Sequence, residues 1–359
     1  MTEKHFISDS YPFTLNQGNV QWRSPSNIAL VKYWGKKEHQ IPANPSISFT
    51  LDACATTTTL SFEKLETPAD DFQVEVLLDG DVKTSFKPKI LQFFQRIERY
   101  VPFLKAYQFT INTHNSFPHS SGIASSASGM SALALCLMDM ESQMTQTSET
   151  DFKQKASFLA RLGSGSASRS IEGDLVAWGT HQDIAGSSDL FGVKFPYAVH
   201  PVFQRFHDTI LLVDKGEKQV SSTVGHGLML GHPYAEQRFQ QAHDNLQALI
   251  KIFSEGDLER FIEVVESEAL TLHAMMMTSL PYFILMKPNT LAIINKIWEF
   301  RRATGLHICF TLDAGANVHV LYPEHEATEV YEFIKNELVV YCQNQHYICD
   351  RIGFGAKKL

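Results

Sequence analysis

No apolar run in the 359-residue chain approaches the roughly 20 residues that a membrane-spanning helix needs. The polar first 21 residues also lack the apolar stretch of a secretory signal. Paired cysteines are missing: Cys54, Cys136, Cys309, Cys342 and Cys349 form neither a CxxC motif nor an even framework, and two of them sit in apolar runs. That pattern implies reduced core thiols and a cytoplasmic setting. Cations are in deficit, 31 against 39 acids for a formal charge of -8, which excludes a generic nucleic-acid binder because such a surface repels polyphosphate. The Walker loop GxxxxGK[ST] is absent too, so any phosphate site must be built differently. A 44% hydrophobic content supplies packed cores for two domains, and no solenoid repeat is visible.

What is present alternates between strand and helix signals. Residues 46–64 and 72–77 alternate and are rich in β-branched side chains, predicting strands in a meander, and 107–113 predicts another. Helical patterns run over 90–99, 126–140 and 152–161, then 235–254, 257–273, 290–302 with Asn289 as N-cap, and 326–340. Strands are expected at 209–213, 308–312 and 318–322. The aperiodic Gly/Ser/Pro-rich stretch 186–201 places a boundary near residue 200, giving domains over 1–200 and 201–359. The expected class is α+β with mixed or antiparallel sheets. Met275, Met276 and Met277 read as core.

Four segments carry candidate chemistry. Between strand 107–113 and the helix from Ser126 lies a Ser/Gly loop, Phe117 to Gly129, whose small residues, including Gly122, Ala124, Ser125 and Ser126, let backbone approach a ligand at a positive helix end. It is either a phosphate loop or an ordinary capped turn; no acid occurs between Arg99 and Met138, which favours the former. The run Asn27 to Lys37 buries Lys32 in an apolar strand beside Tyr33, so its ammonium needs an anionic partner, a carboxylate or a bound phosphate. The loop Gly163 to Ser170 offers hydroxyls such as Ser166 and the forked guanidinium of Arg169. Asp313 closes a strand ahead of Gly315, as a turn-forming residue or as a base aimed into a cleft.

Together these stretches resemble the diphosphomevalonate decarboxylases of the GHMP small-molecule kinase superfamily. Asn27-Ile-Ala-Leu-Val-Lys-Tyr-Trp-Gly-Lys36 is similar to the family's N-terminal signature and Gly122-Ile-Ala-Ser-Ser-Ala-Ser128 to its phosphate loop. Gly163 to Ser170 resembles the substrate-arginine loop, Phe310 to Asn317 the catalytic-aspartate segment, and Val220 to Gly225 a further landmark. The resemblance implies a GHMP fold with the active site between an N-terminal α/β and a C-terminal α+β domain, and a homodimer. It implies ATP-dependent decarboxylation of 5-diphosphomevalonate to isopentenyl diphosphate, with Mg²⁺ accompanying ATP. Asp313 would act on the C3 hydroxyl, Lys32 would sit near the transferred phosphate, and Arg169 would hold substrate. Ser125 and Ser126, with Gly122 and Ala124, would cradle ATP phosphates, while Tyr33, Lys36, Ser166 and Ser222 would line the substrate diphosphate. Glu172 and Asp174 lie within a few residues of Arg169, where acids would favour a less charged substrate, so a 5-phosphomevalonate decarboxylase or a 3-kinase is the first alternative, and a nonenzymatic phosphometabolite-binding protein a more distant one.

Overall fold

A computed structural model describes the chain apart from residues 1, 9, 119–122 and 217–221 and the side chains of 222 and 223. The first half builds β1 (Gln17–Val31), β2 (Ser46–Lys64), β3 (Gln73–Leu78), β4 (Asp81–Val82), α1 (Lys87–Ile97), β5 (Tyr107–Asn115), α2 (Ser125–Met144), α3 (Glu149–Gly163), β6 (Leu175–Trp178) and β7 (Val193–Lys194). The second builds α4 (Pro201–Gln204), β8 (His207–Leu211), α5 (Ser222–Gly227), α6 (Ala235–Glu255), α7 (Leu258–Met277) and α8 (Pro288–Thr304). Then follow β9 (Cys309–Leu312), β10 (Val318–Tyr322), α9 (Ala327–Phe333), β11 (Tyr347–Arg351) and β12 (Lys357–Lys358).

Two sheets result, one ordered β12-β1-β2-β5-β3-β4 with β6 and β7 joined through β2, the other β11-β8-β10-β9. Among the described residues all ladders are antiparallel except β3 with β5. The α+β class and mixed sheet match expectation, but the meander does not. β3 bypasses β2 and pairs in parallel with β5. Alternation marks a strand and a buried face; it carries no information about the partner. In β5, Tyr107, Phe109 and Ile111 point inward while Gln108, Thr110 and Asn112 face outward.

The helix α2 is mostly buried on all sides, with its two acids, Asp139 and Glu141, paired to Lys358 and Lys155, so it forms the centre of the first layer rather than its surface. Small hydroxyls let it approach the sheet, with Ser131 bonded to Ser24 at 2.6 Å and Ser128 to Thr56 at 2.7 Å. α8 starts at Pro288, one position before the expected cap Asn289, because proline at the first helical turn loses no hydrogen bond. Met275 and Met276 are buried as expected, whereas Met277 at the end of α7 is 41% exposed.

The halves share a core. Ile28, Leu30, Phe49 and Leu51 of β1 and β2 pack with Phe203, Phe206, Phe253 and Phe261. Asp350 of β11 reinforces this junction by accepting the backbone N–H groups of Asp52 and Ala53 on Oδ1 (3.0 and 2.8 Å) and of Cys54 on Oδ2 (2.7 Å).

Candidate active site

Lys32 follows β1 directly, after register shifts between Pro25 and Asn27 and between Ala29 and Val31. Such irregularities turn a strand and re-aim the side chains at its end. Lys32 is 2% exposed, and its Nζ lies 3.2 Å from Oδ1 of Asp313 in the β9–β10 turn. Burial lowers the ammonium's pKa, and the Asp313 carboxylate opposes that shift. The partner required by burial is therefore a carboxylate from the other half of the chain.

The Lys32 peptide is fixed just as firmly. Its N–H donates to Glu268 Oε2 at 2.8 Å, and its carbonyl accepts from Asn44 at 2.9 Å and Arg238 at 3.1 Å. Glu268 and Arg238 form a buried two-pronged pair at 2.6 and 2.9 Å, so α6 and α7 grip the strand end. The Asp313 turn closes through the Gly315 N–H onto the Asp313 carbonyl at 2.7 Å, and that carbonyl also lies 3.1 Å from His273 Nε2.

Arg169 is 2% exposed. It donates to Ser48 Oγ at 2.5 Å, Ser46 Oγ at 2.6 Å and Asn27 Oδ1 at 3.4 Å, with its guanidinium 5.7 Å from the Trp178 ring. Its pKa is lowered to about 10, chiefly by burial, with Asp313 acting in opposition. Neutral hydroxyls hold the group without neutralising it, which leaves its charge available to an anion.

Ala124 precedes α2 in the left-handed region at φ 44°, ψ 38°, a conformation costing about 1–3 kcal/mol for a residue with Cβ. Among the described residues no side chain caps α2; the Ala127 N–H bonds the Ala124 carbonyl at 2.7 Å, and the N–H groups before it can meet a ligand. The hydroxyls of Ser126 and Ser164 meet at 3.3 Å, joining this loop to the Gly163–Ser170 loop.

A cavity of about 390 Å³ gathers Lys32, Tyr33, Lys36, Ala124, Ser126, Ser166, Arg169 and Asp313. Ser125 instead lines an adjoining apolar pocket of about 210 Å³, and Ser126 lines both. Gly122 lies outside the described residues; Ser222 opens α5, with its side chain outside them. Glu172 and Asp174 do not line the cavity, and Asp174 pairs with Lys194 at 3.5 Å. Neither acid therefore touches the cavity that Arg169 lines.

The lining also holds residues that sequence reading does not single out. Lys89, Gln92 and Arg96 of α1 occur at i, i+3 and i+7, a spacing that puts them on one helix face and reads equally well as a solvated surface. Asn27 and His226 join them, and no motif signals the histidine. Among the described residues, five cationic side chains line the cavity against the single carboxylate of Asp313. Burial and nearby Arg96 lower the pKa of Lys36. Tyr33 Oη is buried without a partner among the described residues, and burial pushes its pKa up. The cavity is built to receive a polyanion.

A helix start facing a buried lysine paired with a half-buried aspartate, with an apolar pocket beside it, suits phosphoryl transfer, and the fold is of the GHMP-kinase type. The model of the diphosphomevalonate decarboxylase-like N-terminal domain matches residues 24–190, and that of the mevalonate 5-diphosphate decarboxylase C-terminal domain matches 209–352. The diphosphomevalonate decarboxylase of Ganoderma lucidum is 30% identical over 328 residues, covering 87% of this chain and 80% of the relative. The mevalonate diphosphate decarboxylase of Staphylococcus aureus superposes with TM-score 0.81 at 27% identity, covering 96% and 98% of the two chains. A structure of MDDEF in complex with MVAPP, AMPPCP and magnesium gives TM-score 0.81 at 26% identity, covering 96% and 99%. The chain belongs to the diphosphomevalonate decarboxylase family and is an enzyme of that kind.

Proposed function

We propose that this chain converts 5-diphosphomevalonate and ATP to isopentenyl diphosphate, ADP, phosphate and CO2, and that Asp313, Lys32 and Arg169 carry the reaction. The observation that supports this best is the Lys32–Asp313 pair at 3.2 Å, buried on the lysine side and open to a cavity whose other charged residues, among those described, are cations. The apolar pocket, with Val76, Phe86, Ile90, Ile111, Met130 and Leu133, suits a flat purine ring, and Ser126 joins it to the catalytic cavity. A nucleotide spanning both would lay its phosphates along the uncapped start of α2.

No cluster of three or more His, Cys, Asp or Glu occurs among the described residues that could cage a metal. Asp313 and the loop hydroxyls therefore suit a Mg²⁺ that arrives on nucleotide phosphates and keeps several waters. Bound there, it would offset charge on the phosphate oxygens.

An aspartate of ordinary pKa near roughly 4 cannot deprotonate a tertiary alcohol in advance. Asp313 orients the C3 hydroxyl, held in place by Lys32, and accepts its proton late, as the loose phosphoryl-transfer transition state allows. Lys32 and the amides of the α2 loop stabilise the transferring phosphoryl group. Phosphorylation makes the C3 oxygen a good leaving group. As phosphate departs, the electron pair of the breaking C–C bond fills C3 and the carboxylate leaves as CO2. Arg169, pinned by Ser46, Ser48 and Asn27, holds the substrate anion in register.

The reading includes a division near residue 200 and a cytoplasmic setting. Cys54, Cys136, Cys309 and Cys342 are buried and unpaired, which agrees with a reducing compartment, whereas Cys349, expected in the core, is exposed at the sheet edge on β11. No helix among the described residues is long and apolar enough to cross a membrane.

Mevalonate, its 5-phosphate and its 5-diphosphate, each assayed with ATP for ADP and CO2, test the proposal. Only the diphosphate should turn over, with ADP and CO2 in equal amounts. Preferential turnover of the monophosphate, or ADP without CO2, would overturn it.

A further inference from the structure

We propose that His226 is a substrate-binding residue that donates a hydrogen bond from Nε2 to the phosphorylated arm of the substrate. The inference rests on the reading of the cavity given above and adds a residue to it. His226 is 8% exposed and lines the cavity with Tyr33, Lys36 and Arg169. Its Nδ1 accepts the Gly35 N–H at 3.0 Å, which fixes the ring proton on Nε2. Nε2 has no protein partner among the described residues.

The ring cannot swing away. Its centroid is 4.2 Å from that of Tyr33 and 4.7 Å from that of Trp34. The backbone beneath it is pressed equally close, since a Cβ added at Gly225 would meet the Trp34 ring at 2.5 Å. Burial, helped by Lys36 and Arg169, lowers the imidazole pKa to about 3, so the ring stays neutral in ordinary buffers. A ring that neutral is no proton donor for the chemical step, yet it is a fixed hydrogen-bond donor.

Tyr33 Oη, unpartnered and buried, lies beside it. Two preset donors and two cations, Lys36 and Arg169, thus face a cavity whose only carboxylate is committed to Lys32, among the described residues. The ligand must bring the acceptors, and phosphate oxygens are the acceptors that also satisfy the cations. His226 does not line the apolar pocket at Ser125, so the arm it meets is that of the substrate, not of the nucleotide.

The test compares His226→Leu and His226→Gln with the native enzyme, using 5-diphosphomevalonate and ATP. A hydrogen bond to a charged acceptor predicts a rise in KM for the diphosphate of about 10- to 100-fold in His226→Leu, with the loss falling on KM rather than kcat. His226→Gln, which retains an N–H donor, should recover part of it. In the native protein the ¹⁵N resonance of His226 Nε2 should shift when 5-diphosphomevalonate is added, while Nδ1 keeps its acceptor signature. This measurement decides the matter if His226→Leu does not fold. An unchanged KM, a loss confined to kcat, or an unmoved Nε2 resonance would each overturn the inference. Absence of turnover by the native enzyme would instead sink the reading of the cavity.

Discussion

A methyl group at Gly165 would lie 2.8 Å from the Trp178 ring and 2.9 Å from Tyr33 Oη. The substrate-side loop therefore passes this point only as glycine, and its closeness to Tyr33 shapes the cavity wall. Gly165→Ala should destabilise by about 1–3 kcal/mol, the usual cost of overpacking, and raise KM for the diphosphate substrate. Calorimetry beside steady-state kinetics checks both. Buried histidines give a second prediction at this scale. Burial lowers His226 to about 3 and His273 to about 4, below the ordinary 6.5. The unfolded chain then binds more protons than the folded one below pH 6.5. The stability is fully present above that pH and is lost as pH falls toward the folded values, by about 2 kcal/mol per histidine at pH 5. Urea midpoints at pH 7.5 and 5 measure the loss, and His273→Gln should reduce it. An equal loss in that variant would contradict the assignment.

Elements explain why Asp313 meets Lys32 at all. β11 lies against β2, and Asp350 clasps three consecutive amides there. Asp350→Ala should leave those buried donors unpaired and cost at least about 3 kcal/mol in urea unfolding. If stability were unchanged, the clasp would not hold the junction. The motif segments were legible in sequence because small residues and buried charges cluster in them for chemical reasons. Partnership between elements was not, as the parallel β3–β5 ladder illustrates, nor was the polar first half of β1, Gln17 to Pro25, whose alternation is weak. The α1 cations escaped notice because a face of Lys89 and Arg96 looks like solvated surface until a cavity lies beneath it. His226 escaped because a lone histidine carries no pattern.

At the scale of the whole molecule, a formal charge of -8 coexists with a cavity where cations outnumber acids five to one among the described residues. Charge is thus sorted by position rather than balanced by composition. The shared aromatic core and the return of β12 to the edge of β1 tie the second half to the first, so the cavity walls are fixed by packing on both sides. Gly353 repeats the point: a Cβ there would meet the Leu51 carbonyl oxygen at 2.4 Å. Within that frame Asp313 is the one carboxylate lining the cavity among the described residues, and we propose that it faces the substrate hydroxyl. Asp313→Asn, assayed for ADP and CO2 with 5-diphosphomevalonate and for substrate binding by calorimetry, tests that claim most directly. We expect both products to fall together by about 10²–10⁴-fold with affinity largely kept; near-normal release of either product would contradict the account.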